Sequence, residues 1–542
     1  MQRLDSNGDI SFYDPIKKLS LKTFASSIKK HKSSSKSLVE QETTQVFAKL
    51  YDMGQEAHIS REALLSYELT SIPRSIADSW GAPLRAKKSD LLHMLSEAAV
   101  DFPLPLPRNT THVIDAMPVL QSVTKPAETY DELGEQVLSR VVEGTGNEAE
   151  LHWVGDGYPD ASIKKSAHDN RENAVGDGLN YAIRSGSQRV PHQFKRALRS
   201  GPYKEELLKF LVKNWTQDKH HEVIGKRKLY CTLGKECLCI KVDDTTVPPS
   251  VICTPQPDLN CSHEEADTRM MLHAKYASQV NQEPILLRCP DTDVLKLAVY
   301  TCDEHPMPMV FRVLENKVYR YISVTSITHR LGSAVVRGLP GMHAFSGCDS
   351  TSQFAGHGKK KSMKLLIEDA EFRSSMATLG DTFQLSPSTL EKGEQVICTL
   401  YKSKLKRTNQ VRNERWNRST KDITKLPPTQ DSAIQHLKRA NYQAAIWKRC
   451  LEPHPNVPSP HGHGWEVIDD DISIVWITQA SAPDIITKKR RCGCKSNHPC
   501  STRRCSCRHR AMQCTALCLC SDDCFNNDTA ALDDSESDDS DA

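Results

Sequence analysis

Residues 285–295 read ILLRCPDTDVL. Ile285–Leu287 is a short aliphatic run of strand character, and the chain then breaks at Pro290 beside two acids, Asp291 and Asp293. The same pattern occurs twice upstream. Val113–Ile114 is an apolar pair ending at Asp115, and Leu151–Val154 runs into Asp156-Gly157. Short apolar strands alternating with helical stretches predict an α/β domain with a mainly parallel sheet. Such sheets carry their sites beyond the carboxyl ends of the strands, where these acids fall.

Outward from this core, a basic helical insertion is expected over about 170–225 and a hairpin around Tyr230–Val242. Cys237 and Cys239 fall within that hairpin and read as strand thiols. The α/β domain spans 108–375. Before it, 1–40 is a flexible Lys/Ser leader and 41–107 a helical region, with Ser60 and Ser89 as candidate N-caps. After it, 376–486 is linker and helix, with Ile434, Leu437, Ala440 and Ala444 on one face of a helix at about 431–449. A cysteine-rich module at 487–527 and an acidic, disordered tail at 528–542 complete the chain.

The totals fit a multidomain chain with solvated connections. There are 542 residues, 38% of them hydrophobic, and the mean hydropathy is −0.52. No apolar run reaches the roughly 18 residues of a membrane span, and MQRLDSNGDISFYDP at the start lacks the apolar core of a signal peptide. Reduced thiols and an intracellular location are therefore expected.

Nine of the nineteen cysteines lie between 492 and 524: Cys492, Cys494, Cys500, Cys505, Cys507, Cys514, Cys518, Cys520 and Cys524. Thiolates at this density repel one another unless cations neutralise them, and zinc favours tetrahedral thiolate ligation. Nine thiolates with three shared between metals supply the twelve ligand positions of three zinc ions. The run RCGCKSNHPCSTRRCSCRHRAMQCTALCLCSDDCFN resembles the tesmin-type CXC module, whose members bind DNA. Lys488, Lys489, Arg490, Arg491, Lys495, Arg503, Arg504, Arg508 and Arg510 form a basic stripe without an acid between 487 and 510, which suits phosphate contact. The run Lys495-Ser496-Asn497 lacks the aromatic residue of the family. A purely structural zinc knot or a protein-binding module is the other reading of this segment.

Seven acids stand where a metal-dependent hydrolase needs them: Asp115, Asp156, Glu265, Asp267, Asp291, Asp293 and Asp349. Phosphodiester hydrolysis commonly uses two divalent cations about 4 Å apart, and magnesium, a hard ion, takes oxygen ligands. Asp291 and Asp293 share one side of an extended stretch. Glu265 and Asp267 converge only in a turn entering a helix, and Ala266, Met270, Ala274 and Ala277 place a helix start there. A strand-end Asp is equally a turn former or helix cap.

The order DA (115), DG (156), ExD (265–267), DxD (291–293) and GCD (347–349) resembles the flap-endonuclease (XPG-type) branch of the PIN-like nucleases. The resemblance covers about 108–370 and implies a PIN-like three-layer α/β fold in which these carboxylates hold two Mg²⁺ or Mn²⁺ ions. WVGDGYPDASIKK resembles the family's strand-DG segment, so Lys164 and Arg171 correspond to the basic pair that steers the scissile phosphate. FAGHGKK resembles the turn that grips duplex backbone, here Gly356, Gly358 and Lys359. Unlike the family, the chain carries about 100 residues before its first strand. Together these readings lead to an expected nuclear, Mg²⁺- or Mn²⁺-dependent nuclease with a zinc-bound, DNA-binding CXC module and no membrane association. The alternative is a non-catalytic DNA- or chromatin-binding protein that keeps a silent nuclease fold.

Overall fold

The computed structural model describes residues 44–157, 163, 181–315, 317–418, 422–469, 471–489, 492–495, 498–509, 514, 518, 520 and 524–526. The leader 1–40, Lys164, Arg171, Arg490, Arg491, Arg510 and the tail 528–542 lie outside these described residues.

The short aliphatic runs pair into the centre of one large sheet. Its strands are β1 (Thr111–Asp115), β2 (Glu150–Val154), β3 (Lys228–Leu233), β4 (Glu236–Asp243), β5 (Ser250–Pro255), β6 (Ile285–Arg288), β7 (Met309–Glu315) and β8 (Val318–Ser323). Their order is β5-β4-β3-β2-β1-β6-β7-β8. The five central strands are parallel, while β4, β5 and β8 add antiparallel at the rims. The expected α/β architecture and the Tyr230–Val242 hairpin are both present.

The helices that matter below are α1 (Lys88–Glu97), α2 (Ala116–Ser122), α3 (Tyr130–Val142), α4 (Gly201–Trp215), α5 (Ala266–Val280), α6 (Thr292–Thr301), α7 (Ser333–Phe345), α8 (Lys359–Glu368) and α9 (Gln430–Lys448). Alternation along the strands divides the core between two helical layers. Val113, Val154 and Leu287 pack with α5, α6, α7 and α9. Ile114, Leu151 and Trp153 face the other way, into α3 and α4. All five residues of β1 are buried, as expected for a parallel strand covered on both faces. Each fully buried large aliphatic side chain contributes roughly 1.5–3 kcal/mol.

Two local readings change. The stretch 375–430 is helical over Pro387–Leu400 and Thr408–Arg418, and Val396, Ile397 and Leu400 belong to the same apolar cluster as β6 and β7. Ser60 does cap a helix, accepting the Ala63 N–H. Ser89 does not, because α1 starts one residue earlier at Lys88, with Lys87 in the cap position. Residues before β1 also close one rim of the sheet: the Phe102 N–H donates to the Tyr321 carbonyl at 2.8 Å, and the Ser323 N–H to the Val100 carbonyl at 2.9 Å. Among the described residues no helix is long and apolar enough to cross a membrane.

One polar pair lies inside the core. His152 of β2 and His273 of α5 are fully buried, with their Nδ1 atoms 3.0 Å apart. One imidazole must donate and the other accept, so the two cannot both be charged, and burial favours the neutral form of each. Burial pulls His152 down to about 3, and burial with the neighbouring His152 and Arg269 pulls His273 down as well. The unfolded chain takes up these protons near pH 6.5. Stability from the pair is therefore complete above that pH and falls as the medium is acidified toward 3. Urea unfolding at pH 7.5 and 5.5 should show wild type losing more stability than His152→Leu/His273→Leu, by roughly 1 kcal/mol per histidine.

Candidate active site and metal centres

In the parallel register, Ile114 of β1 stands opposite Arg288 of β6, and Asp115 opposite Val154 of β2. All three strands therefore end at one level. The segments leaving them carry Asp115, Asp156 and Asp291 into a cleft of about 720 Å³ that Glu265, Asp267, Asp293 and Asp349 also line. All seven acids singled out in the sequence share this cleft. Carboxylate oxygens of Asp267, Asp291 and Asp293 lie within 4.8 Å of one another. That spacing fits three oxygen donors around one hard divalent ion.

Local structure explains how each acid is aimed. Asp115 caps α2, accepting the Met117 N–H at 3.0 Å, and its other oxygen takes the Cys289 thiol at 3.2 Å. Asp156 accepts the Ala266 N–H at 2.9 Å. Glu265 is the N-cap residue of α5 and Asp267 lies in its first turn, so the two converge at a helix start as expected. Asp291 and Asp293 meet differently from the extended geometry expected of them. Asp291 caps α6 by accepting the Asp293 N–H at 2.9 Å, so Asp293 is already helical. Capping and cleft-lining coexist in these aspartates, since a cap uses one oxygen of two. Asp349 follows Gly347, whose φ of +98° and close approach to the Gln353 nitrogen, 2.6 Å from where a Cβ would sit, require glycine.

Cations crowd one side of the cleft, and sequence reasoning missed them. Lys88 of α1 reaches in to Asp293 Oδ2 at 2.9 Å and Asp349 Oδ2 at 2.8 Å. Burial works against its charge, but Asp293, Asp291 and Asp349 outweigh this and hold its pKa above the ordinary lysine value. His343 Nε2 lies 2.6 Å from Asp293 Oδ1, in close contact but without hydrogen-bond alignment. Behind them Lys296 is fully buried, its ammonium 3.0 Å above the Trp447 ring. Burial raises the Asp293 carboxyl, yet His343, Lys88 and Lys296 together hold it well below the usual range. Asp291 moves upward, through burial and then the adjacent Asp293. Lys296, three residues after Asp293 on α6, carried a helix-spacing signal. Lys88, in an ordinary Lys-Lys pair, carried none.

The basic positions divide. Gly356 and Gly358 precede α8. Lys359 does not present its charge to solvent: it is 1% exposed, and Nζ donates to the His343 carbonyl at 2.6 Å and to Ser346 Oγ at 3.0 Å. It lies on the inward face of α8 with Ser362, Met363 and Leu366. In the C-terminal module Lys495, Arg503 and Arg504 are exposed, and Arg508 is tied to the Cys500 and Ser501 carbonyls. Lys488 and Lys489 end the helix Asp484–Lys489.

All nineteen cysteines are free, and the nine of the module gather in one cluster. Sulfur–sulfur distances are 3.4 Å for Cys492–Cys500, 3.6 Å for Cys492–Cys514, 3.5 Å for Cys507–Cys518 and 3.8 Å for Cys505–Cys514. A zinc tetrahedron with bonds of about 2.3 Å has edges of about 3.8 Å, so the sulfurs suit a metal. Three foursomes have Sγ atoms within 4.8 Å: Cys492/Cys505/Cys507/Cys514, Cys492/Cys500/Cys514/Cys520 and Cys492/Cys494/Cys500/Cys505. Cys492 belongs to all three, the sharing that a polynuclear thiolate cluster needs. No model of a known protein family matches the chain, and no curated protein matches it.

Burial, then the charge of Asp156, raises the Asp115 carboxyl to about 7 against the hydrogen bonds from Cys289 and Met117. Carboxyl ¹³C NMR of protein free of divalent ions in the cleft should show an aspartate titrating near neutrality. Asp156→Asn should shift that titration to lower pH. A resonance unmoved by the substitution would contradict the coupling.

Proposed function

We propose that the chain hydrolyses phosphodiester bonds of nucleic acid in a divalent-cation-dependent reaction, and that its cysteine module, filled with zinc, holds DNA. The observation that carries this reading is the convergence of seven acids from separate segments in one cleft beyond the parallel strand ends. The resemblance of their order to PIN-like flap endonucleases points the same way. Asp267, Asp291 and Asp293 would hold an ion, with Asp115, Asp156, Glu265 and Asp349 around it. A bound Mg²⁺ or Mn²⁺, two in the family pattern, supplies Lewis-acid polarisation of a phosphoryl oxygen and lowers the pKa of water.

The chain's own groups prepare that chemistry. The cap bonds fix Asp115 and Asp291, so their carboxylates need no reorganisation when substrate arrives. Gly356 and Gly358 leave backbone amides available for a phosphate at the start of α8. Lys495, Arg503 and Arg504 would bind DNA phosphates non-specifically and concentrate the hydrolase on its substrate. The Lys488–Arg491 stretch suits either nuclear import or a phosphate contact. The second reading, a DNA-binding protein with a silent nuclease fold, is favoured by one observation: Lys88 already neutralises Asp293 and Asp349.

Flapped, nicked and single-stranded DNA and RNA, incubated with Mg²⁺ or Mn²⁺, should be cut by the wild type. Cutting should stop with EDTA and fall at least about 100-fold in Asp291→Ala and Asp293→Ala, a loss of roughly 3 kcal/mol of transition-state stabilisation. Inertness of all three proteins on every substrate leaves only the binding reading.

Elemental analysis should find about three zinc ions per chain. Cys492→Ser, which removes the sulfur common to all three foursomes, should lose more than one of them. The same variant should weaken DNA binding and flatten its dependence on salt. Fewer than about two zinc ions in the wild type would contradict the zinc assignment.

A further inference from the structure

We infer that the ammonium of Lys88 stands where a second divalent ion would otherwise bind, so that the cleft takes one ion, at Asp267, Asp291 and Asp293. This rests on the hydrolase reading above. Nζ touches Asp293 Oδ2 at 2.9 Å and Asp349 Oδ2 at 2.8 Å. An ion bridging those oxygens would need roughly the same point, since Mg²⁺ sits about 2.1 Å from each carboxylate oxygen. Two cations cannot share that space.

The surroundings favour the ammonium. Asp293 is 5% exposed and already has His343 2.6 Å from its other oxygen. The buried amino group of Lys359 is held behind His343 through the His343 carbonyl, and that of Lys296 lies over Trp447. A divalent ion added on this side would meet the Lys88 ammonium directly. Asp115, Asp156, Glu265 and Asp267 also line the cleft, with Lys235 the only Lys or Arg among its described lining residues besides Lys88.

The position of Lys88 is built, not incidental. It lies in the first turn of α1, which Leu91 and Leu95 anchor in the main apolar cluster. Its side chain is 23% exposed and bridges two acids 56 residues apart, Asp293 and Asp349. In this arrangement the lysine supplies a fixed positive charge beside the phosphate, the service a second ion performs in two-ion sites.

The test is the number of Mn²⁺ ions bound by the zinc-loaded full chain, counted from the loss of the free-ion EPR signal. Wild type should bind one ion that Asp291→Ala/Asp293→Ala abolishes. Lys88→Met should bind two, and Lys88→Arg one. If wild type binds two such ions, the inference fails and a two-ion hydrolase stands. It also fails if Lys88→Met, folded by circular dichroism, still binds one. If Lys88→Met does not fold, Lys88→Gln takes its place, and the wild-type count remains decisive. No carboxylate-dependent Mn²⁺ in wild type, together with no cleavage, overturns the hydrolase reading itself.

Discussion

Negative charge gathered where little water remains must be answered, and this constraint organises the cleft. Removing a carboxylate from water costs several kcal/mol. The attraction of an ammonium at 2.9 Å returns about 6 kcal/mol at an effective dielectric constant near 20. Lys88 and Asp293 meet at that distance. The other answers differ in kind. Asp115 gains hydrogen bonds and a raised pKa, Asp291 a backbone amide, and the triad of Asp267, Asp291 and Asp293 a geometry suited to an ion.

The cysteine cluster solves the same problem with softer atoms. Its sulfurs lie at the spacing of a tetrahedron's edge, closer than free thiolates would tolerate. Thiolate sulfur suits soft ions such as zinc and carboxylate oxygen suits hard ions such as magnesium, so the two donor sets favour different metals.

Much of this was legible before any coordinates. β1, β2 and β6 announced themselves as aliphatic runs ending in acids, and parallel pairing brings such ends to one level. The cysteines declared themselves by density. The cations that complete the cleft did not, because a buried lysine has no local signature: Lys88 reads like any surface pair until α1 is docked. Lys359 was misread for a related reason. The Gly-x-Gly-Lys reading emphasised the turn, while the spacing of Lys359, Ser362, Met363 and Leu366 marked the inward side of a helix. Asp293 was misplaced by one conformational step, since an Asp that caps a helix brings the residue two positions on into its first turn. Part of the span 376–486 read as linker because its helices Pro387–Leu400 and Thr408–Arg418 bury only narrow faces.

The short addition of residues 100–102 to β8 has a consequence for how the chain can be shortened. A strand at the rim of a sheet exposes unpaired amides and carbonyls, which invite another chain. On this side the segment ahead of the α/β region occupies them, while β5 at the opposite rim is followed directly by Gln256 and Pro257 rather than by another strand. A protein begun at residue 108 would keep every cleft acid yet lose Lys88 and the core side chains Leu91 and Leu95, and it would expose the adhesive border of β8. It would be prone to self-association through that border as well as through the apolar surface that α1 covers.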